Sequence, residues 1–118
     1  EMPREMEDVV IKAMLHMQNC FNFDLYAGRK CYAHLYDLGF KDLTLNVVAH
    51  HLIYGKLQHS DEFNWMKKLE IGALKAPEIF ESYAGGSKKF LDDFRIFFRD
   101  PRRFTYSPMI LCRGRKPL

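Results

Sequence analysis

Apolar residues recur in helical register at the start of the chain. Met6, Val9, Val10, Ala13, Met14 and Met17 fall on one stripe of a helix, and Pro3 suits its first turn, where a missing amide hydrogen costs nothing. Asn22 and Asp24 break the stripe, and both residue types cap helix N-termini well. A second helix is predicted over residues 26–38, with Tyr32, Leu35, Tyr36 and Leu38 as its apolar positions. Gly39 is placed just past its end, where a left-handed backbone is needed, and Phe40 folds back on the last turn.

Period two follows. Leu43, Leu45, Val47, Ala49 and Ile53 alternate with mostly polar or mixed partners, so residues 43–54 are expected to form a long strand with one buried face, ended by Gly55. Ser60 and Asp61 open a helix carrying Phe63, Trp65, Met66, Leu69 and Ala73. Pro77 stops or kinks it and suits the first position of another. Gly85-Gly86-Ser87 is a break, after which Phe90, Leu91, Phe94, Phe97 and Phe98 return to helical spacing until Asp100-Pro101. The last predicted element is a strand over residues 104–112. Met109-Ile110-Leu111-Cys112 is apolar on both faces, which suits the inside of a sheet. Pro108 lacks a ladder donor, so regular pairing is expected only after it, or with a bulge. Residues 113–117 are expected to be a solvated tail. Two strands do not make a stable sheet alone, so further strands, or a second copy, are expected to complete it.

Composition narrows the class. The 118 residues suit one compact domain, and 47% hydrophobic with 28% charged residues is enough to bury a core. A net charge of +3 gives no electrostatic case for nucleic acid or a membrane surface. No apolar run approaches the roughly 20 residues of a membrane helix, and Glu1-Met2-Pro3-Arg4-Glu5 does not resemble the start of a signal peptide. Three cysteines, Cys20, Cys31 and Cys112, lack metal-ligand spacing. They point to a reducing compartment, hence a cytoplasmic location, with the thiols buried as small hydrophobes.

One resemblance covers essentially the whole chain. Asp24-Leu25-Tyr26-Ala27-Gly28-Arg29-Lys30-Cys31-Tyr32, continuing to Leu38-Gly39-Phe40-Lys41-Asp42, resembles a segment of class I S-adenosylmethionine-dependent methyltransferases. In those enzymes a loop ends in Asp-Pro-x-x-Gly-Arg, enters a helix, and the helix finishes on a Gly-hydrophobic pair before the sixth strand; Leu25 stands here where that pattern often has proline. The run from Phe104 to Pro117 is similar to their terminal seventh strand. The resemblance implies an α/β fold: the C-terminal fragment of a doubly wound, Rossmann-like sheet, with two long antiparallel strands and four to five helices. It implies that S-adenosylmethionine is bound by upstream residues and that this chain alone is inactive. Gly85-Gly86 and Gly114 do not follow a strand and open a helix as a dinucleotide loop would.

The same resemblance locates candidate chemistry. Ligands of doubly wound sheets sit beyond the carboxyl ends of the parallel strands. There it would place Tyr26 and Arg29 at a helix start, His50, His51 and Tyr54 at the end of the sixth strand, and Arg103 and Tyr106 at the start of the seventh. Residues 56–102, far longer than a hairpin loop, would form a helical cap carrying Trp65 over a small-molecule methyl acceptor. Each residue also has a plainer reading. Adjacent strand residues point to opposite faces, so His50 and His51 are not expected to share a metal, and a hydrogen-bonded structural histidine is the simpler assignment. Trp65 reads first as core and second as a pocket wall. Arg29, a cation at a helix N-terminus, calls for a carboxylate partner. Arg99, Arg102, Arg103, Arg113, Arg115 and Lys116 lack the interleaved aromatics of a nucleic-acid surface. Methyl transfer from a sulfonium requires alignment above all, so no obligatory catalytic residue is read. The alternative to an enzyme fragment is a stand-alone, non-catalytic α+β interaction or dimerisation module. Under the first reading an uncovered strand edge predicts a homo-oligomer.

Overall fold

The computed structural model describes residues 1–118 as five helices and two strands. They are α1 (Arg4–Cys20), α2 (Ala27–Asp37), β1 (Lys41–Tyr54), α3 (His59–Lys75), α4 (Pro77–Glu81), α5 (Gly86–Arg99) and β2 (Phe104–Arg115). The fold is α/β, and β1 and β2 pair antiparallel in a two-stranded sheet. No helix is long and apolar enough to cross a membrane. The chain forms two compact units: residues 1–23 with 53–104, and residues 24–52 with 105–118.

The first unit is helical and built on aromatic packing. The stripe of α1 buries Met6, Val9 and Ala13, while α5 buries Phe90, Phe94 and Phe98 at the four-residue spacing that aligns them on one face. Phe80 of α4 meets Phe90 edge to face at 5.0 Å, Tyr83 meets the same ring at 5.3 Å, and Phe94 stacks on Phe98 at 5.4 Å. Met66 of α3 and Ile53 at the end of β1 complete the core. Pro77 opens α4 directly after α3, since a ring without an amide hydrogen fits a helix start and not a helix interior. Polar groups brace the rim. The Tyr83 hydroxyl donates to Asp93 at 2.9 Å, the Ala84 amide to Glu5 at 3.2 Å, and the Arg99 guanidinium to Glu62 at 2.7 Å. The ammonium of Lys89, followed by the Tyr83 hydroxyl, holds the Asp93 carboxyl below its ordinary range. Loss of water around Tyr83, with the Asp93 carboxylate beside it, raises that phenol.

The second unit sets α2 beside the sheet. Asp24 shapes the approach: its carboxylate accepts from the Tyr26 amide at 2.8 Å and from Lys30 at 2.7 Å, and the Lys30 ammonium keeps its pKa low. The helix ends as its sequence demands. Gly39 has φ +78°, its amide donates to Tyr36, and the Phe40 amide reaches back to Leu35 at 3.1 Å. That pair of bonds satisfies two last-turn carbonyls, and it needs a left-handed residue between them. A Cβ on Gly28 would lie 3.4 Å from Ile110, so α2 comes close to β2 there.

Three expectations are corrected. β2 runs unbroken through Pro108 and continues to Arg115, so residues 113–115 are strand and not tail. Gly114 explains the extension: a Cβ there would fall 2.6 Å from the Leu43 side chain and 3.3 Å from the Lys41 carbonyl, a close approach that only glycine permits. β1 correspondingly starts at Lys41, and Arg115 reaches Asp42 at 2.9 Å. The second correction is burial. β1 was expected to hide one face, yet only Ile53 is buried, and Val47 is 55% exposed. In β2, Leu111 is 47% exposed. A two-stranded sheet gives each strand one neighbour and leaves its second edge open. The apolar residues of α2 are likewise not buried. Third, the thiols are not buried: Cys20 is exposed, because α1 runs on past its last buried residue, Ala13, and Cys31 and Cys112 are only partly covered.

Candidate functional site

The eight residues singled out from the sequence divide between the two units, five in the second (Tyr26, Arg29, His50, His51, Tyr106) and three in the first (Tyr54, Trp65, Arg103).

In the second unit the N-terminal turn of α2 brings Tyr26 and Arg29 together, with the guanidinium 4.9 Å from the ring centroid. Arg29 therefore has an aromatic face where a carboxylate was expected. The nearest acidic residue in sequence, Asp24, is already engaged by Lys30, and a delocalised guanidinium is weakly hydrated and stacks readily on a tyrosine. The His50 and His51 rings lie 4.3 Å apart, centroid to centroid. This differs from the opposed placement that strand alternation predicts. No cluster of three or more histidine, cysteine or acidic side chains stands close enough to hold a metal. Tyr106 is exposed on β2.

In the first unit Arg103 is the one buried charged residue, 5% exposed. It sits where Asp100-Pro101 turns the chain from α5 into β2. The Arg102 amide donates to the Asp100 carboxylate at 2.9 Å and the Arg103 amide to the Asp100 carbonyl at 3.0 Å, which fixes that turn. The Arg102 guanidinium grips the same carboxylate and depresses its pKa to about 2. Inside the turn, Arg103 Nε donates to the Phe98 carbonyl at 2.8 Å and Nη2 to the Gly55 carbonyl at 3.3 Å, with its plane 4.8 Å from the Phe98 ring centre. Its Nη1 is buried without a partner. The cation thus closes the C-terminal end of α5, the favourable end for positive charge. A small cavity of about 240 Å³ beside it is lined by Glu1, Phe97, Asp100, Arg102 and Arg103. Tyr54, at the end of β1, is exposed.

Trp65 packs on the core, 5.8 Å from Phe98, and it also lines a cavity of about 420 Å³ between α1 and α3. That volume is in the range of small-molecule sites. Met14, Met17 and Phe23 form one wall, and Trp65, Leu69 and Gly72 the other, with Phe80 also lining it. Lys68 and Lys75 are its only charged lining residues. The Lys68 ammonium lies 4.9 Å from the Trp65 ring centre and the Lys75 ammonium 5.2 Å from that of Phe21. Sequence reasoning missed this cavity. The signal was present in α3, where Trp65, Lys68, Leu69, Gly72 and Lys75 share one helical face. A glycine in the middle of that stripe leaves a gap where a side chain would otherwise pack.

Compared with family models, curated proteins and solved structures, the chain matches none of them.

Proposed function

We propose that the chain is the C-terminal part of a class I S-adenosylmethionine-dependent methyltransferase and contributes the acceptor side of its active site. The observation that carries this reading is an order of parts. A loop with Asp24 enters α2, whose first turn carries Arg29; α2 closes on the left-handed Gly39, and β1 follows at once. β1 then pairs antiparallel with β2 across a connection of three helices. The resemblance implies this arrangement for the last two strands of a doubly wound sheet. The exposed apolar residues of both strands support it too, because in a complete sheet further strands and helices would cover them. The cofactor would be held by residues upstream of these, and the acceptor would be a small molecule under the helical connection. Within this reading, Arg29 and the histidine pair of the second unit are donors for orienting an acceptor, and alignment with the sulfonium methyl supplies most of the rate.

A second reading, a non-catalytic interaction module, draws on one observation: the helical unit buries a phenylalanine core from its own residues. Incubating the native protein with methyl-labelled S-adenosylmethionine and a small-molecule extract of its source separates the two. Label moving to a small molecule supports the enzyme; label staying on the cofactor under conditions where the cofactor binds supports the module.

A further inference from the structure

The cavity between α1 and α3 has a charge pattern that does not depend on the methyl-transfer reading. Its walls are almost wholly apolar, and no acidic residue lines it. Its two charged neighbours are both ammoniums, one on each side of Gly72 along α3. Neither Lys68 nor Lys75 takes part in an ion pair, whereas Lys67, on the same helix but outside the cavity, is held by Glu70 at 2.8 Å. Each instead lies over an aromatic ring, Trp65 or Phe21. Apolar walls favour a hydrophobic body by releasing water, and two uncompensated ammoniums at the margin favour one negative group and repel a positive one. We infer that this cavity binds a small amphipathic anion, a free carboxylic acid whose hydrocarbon or aromatic body fills the space between Met14, Leu69 and Trp65 while its carboxylate lies between Lys68 and Lys75.

The size favours a small molecule. A cavity of about 420 Å³ matches a small molecule in volume, where a partner helix would need a groove running several turns. Gly72 sets the depth: a Cβ there would already touch the Phe80 ring at 3.4 Å. The site also carries its own reporter, since Trp65 is the single tryptophan.

The test uses three probes of equal chain length: octanoate, octanol and octylamine, each titrated at neutral pH while Trp65 fluorescence is read. Octanoate is expected to bind about tenfold more tightly than octanol, and octylamine more weakly than either. In the double variant Lys68→Glu, Lys75→Glu, both positions being at the cavity margin, the order of octanoate and octylamine is expected to reverse. Met14→Phe, which puts a larger, rigid ring into the cavity wall and leaves both lysines in place, should weaken octanoate and octanol together. Circular dichroism confirms that each variant is folded. Equal binding of all three probes, or an order unchanged by the double variant, would reduce the site to an apolar patch and overturn the inference. Absence of any binding to the wild-type chain would overturn it as well, and would leave the methyl-transfer reading where it stands.

Discussion

Replacing Arg103 with methionine removes the one buried charge while keeping a stem of similar length. In the native unit the opposing contributions nearly cancel. The bond from Nε to the Phe98 carbonyl at 2.8 Å is charge-assisted and contributes about 1.5–3 kcal/mol. The longer contact to Gly55 adds roughly 0.5 kcal/mol, and a cation at the end of α5 adds about 0.3–1 kcal/mol. Against these stand a buried Nη1 without a partner, costing about 1–3 kcal/mol, and the immobilised side chain, costing about 1.5–2 kcal/mol. What decides the sign is the carbonyl left behind. With methionine the Phe98 carbonyl has no donor, and an orphaned buried acceptor costs about 1–3 kcal/mol. Arg103→Met is therefore expected to lower stability by about 1–3 kcal/mol, and Arg103→Lys, which keeps one donor, by less. Urea unfolding followed by helical circular dichroism measures it, with an unchanged denaturant slope to show that the same transition is observed. A methionine variant more stable than the native chain would mean that burying the charge outweighs the bonds it makes. Arg103 would then be held for a ligand anion and not for the fold.

At Gly39 a Cβ would find only Pro117, 4.0 Å away, so Gly39→Ala carries a backbone cost alone: about 1–2 kcal/mol for a left-handed alanine, less about 0.4–1 kcal/mol regained from the stiffer unfolded chain. A net loss near 1 kcal/mol by urea unfolding is expected, and a neutral result would place the helix end elsewhere. The Cys112 thiol is pushed up by loss of water and then by neighbouring Cys31, while Cys20 is exposed. The thiolate is the reactive form, so brief alkylation at mildly alkaline pH should modify Cys20 before Cys112, as mapped by mass spectrometry; the reverse order would contradict the burial argument. Exposed Leu45, Val47, Leu52 and Leu111 along an open sheet should drive association, so light scattering at micromolar concentration should give a mass above the 14.0 kDa of one chain. A strict monomer would remove the main support for an incomplete sheet.

Local chemistry was legible in the sequence, and anything that depends on what lies opposite was not. The Leu38-Gly39-Phe40 end, the proline start of α4 and the Phe90, Phe94, Phe98 face follow from backbone geometry and helical period, which neighbours in sequence determine. The reach of β2 to Arg115 was hidden because Arg113-Gly114-Arg115 reads as polar tail. It becomes strand only because Gly114 admits Leu43 and the Lys41 carbonyl, a contact across the pair. The two histidine rings share a place that alternation alone does not predict. Burial of β1 was overestimated for a related reason: alternating apolar residues show which face can be covered, and not that anything covers it. The cavity beside Trp65 has Gly72 in its lining, close against Phe80, and a missing side chain leaves a faint mark in a sequence.

Calorimetric titration with S-adenosylmethionine, run in parallel on the 118-residue chain and on the native gene product, tests the central proposal most directly. The account predicts no measurable binding to the chain alone and binding in the micromolar range to a native protein larger than 14.0 kDa. A native product of 14.0 kDa, or a larger one that leaves the cofactor unbound, would contradict it.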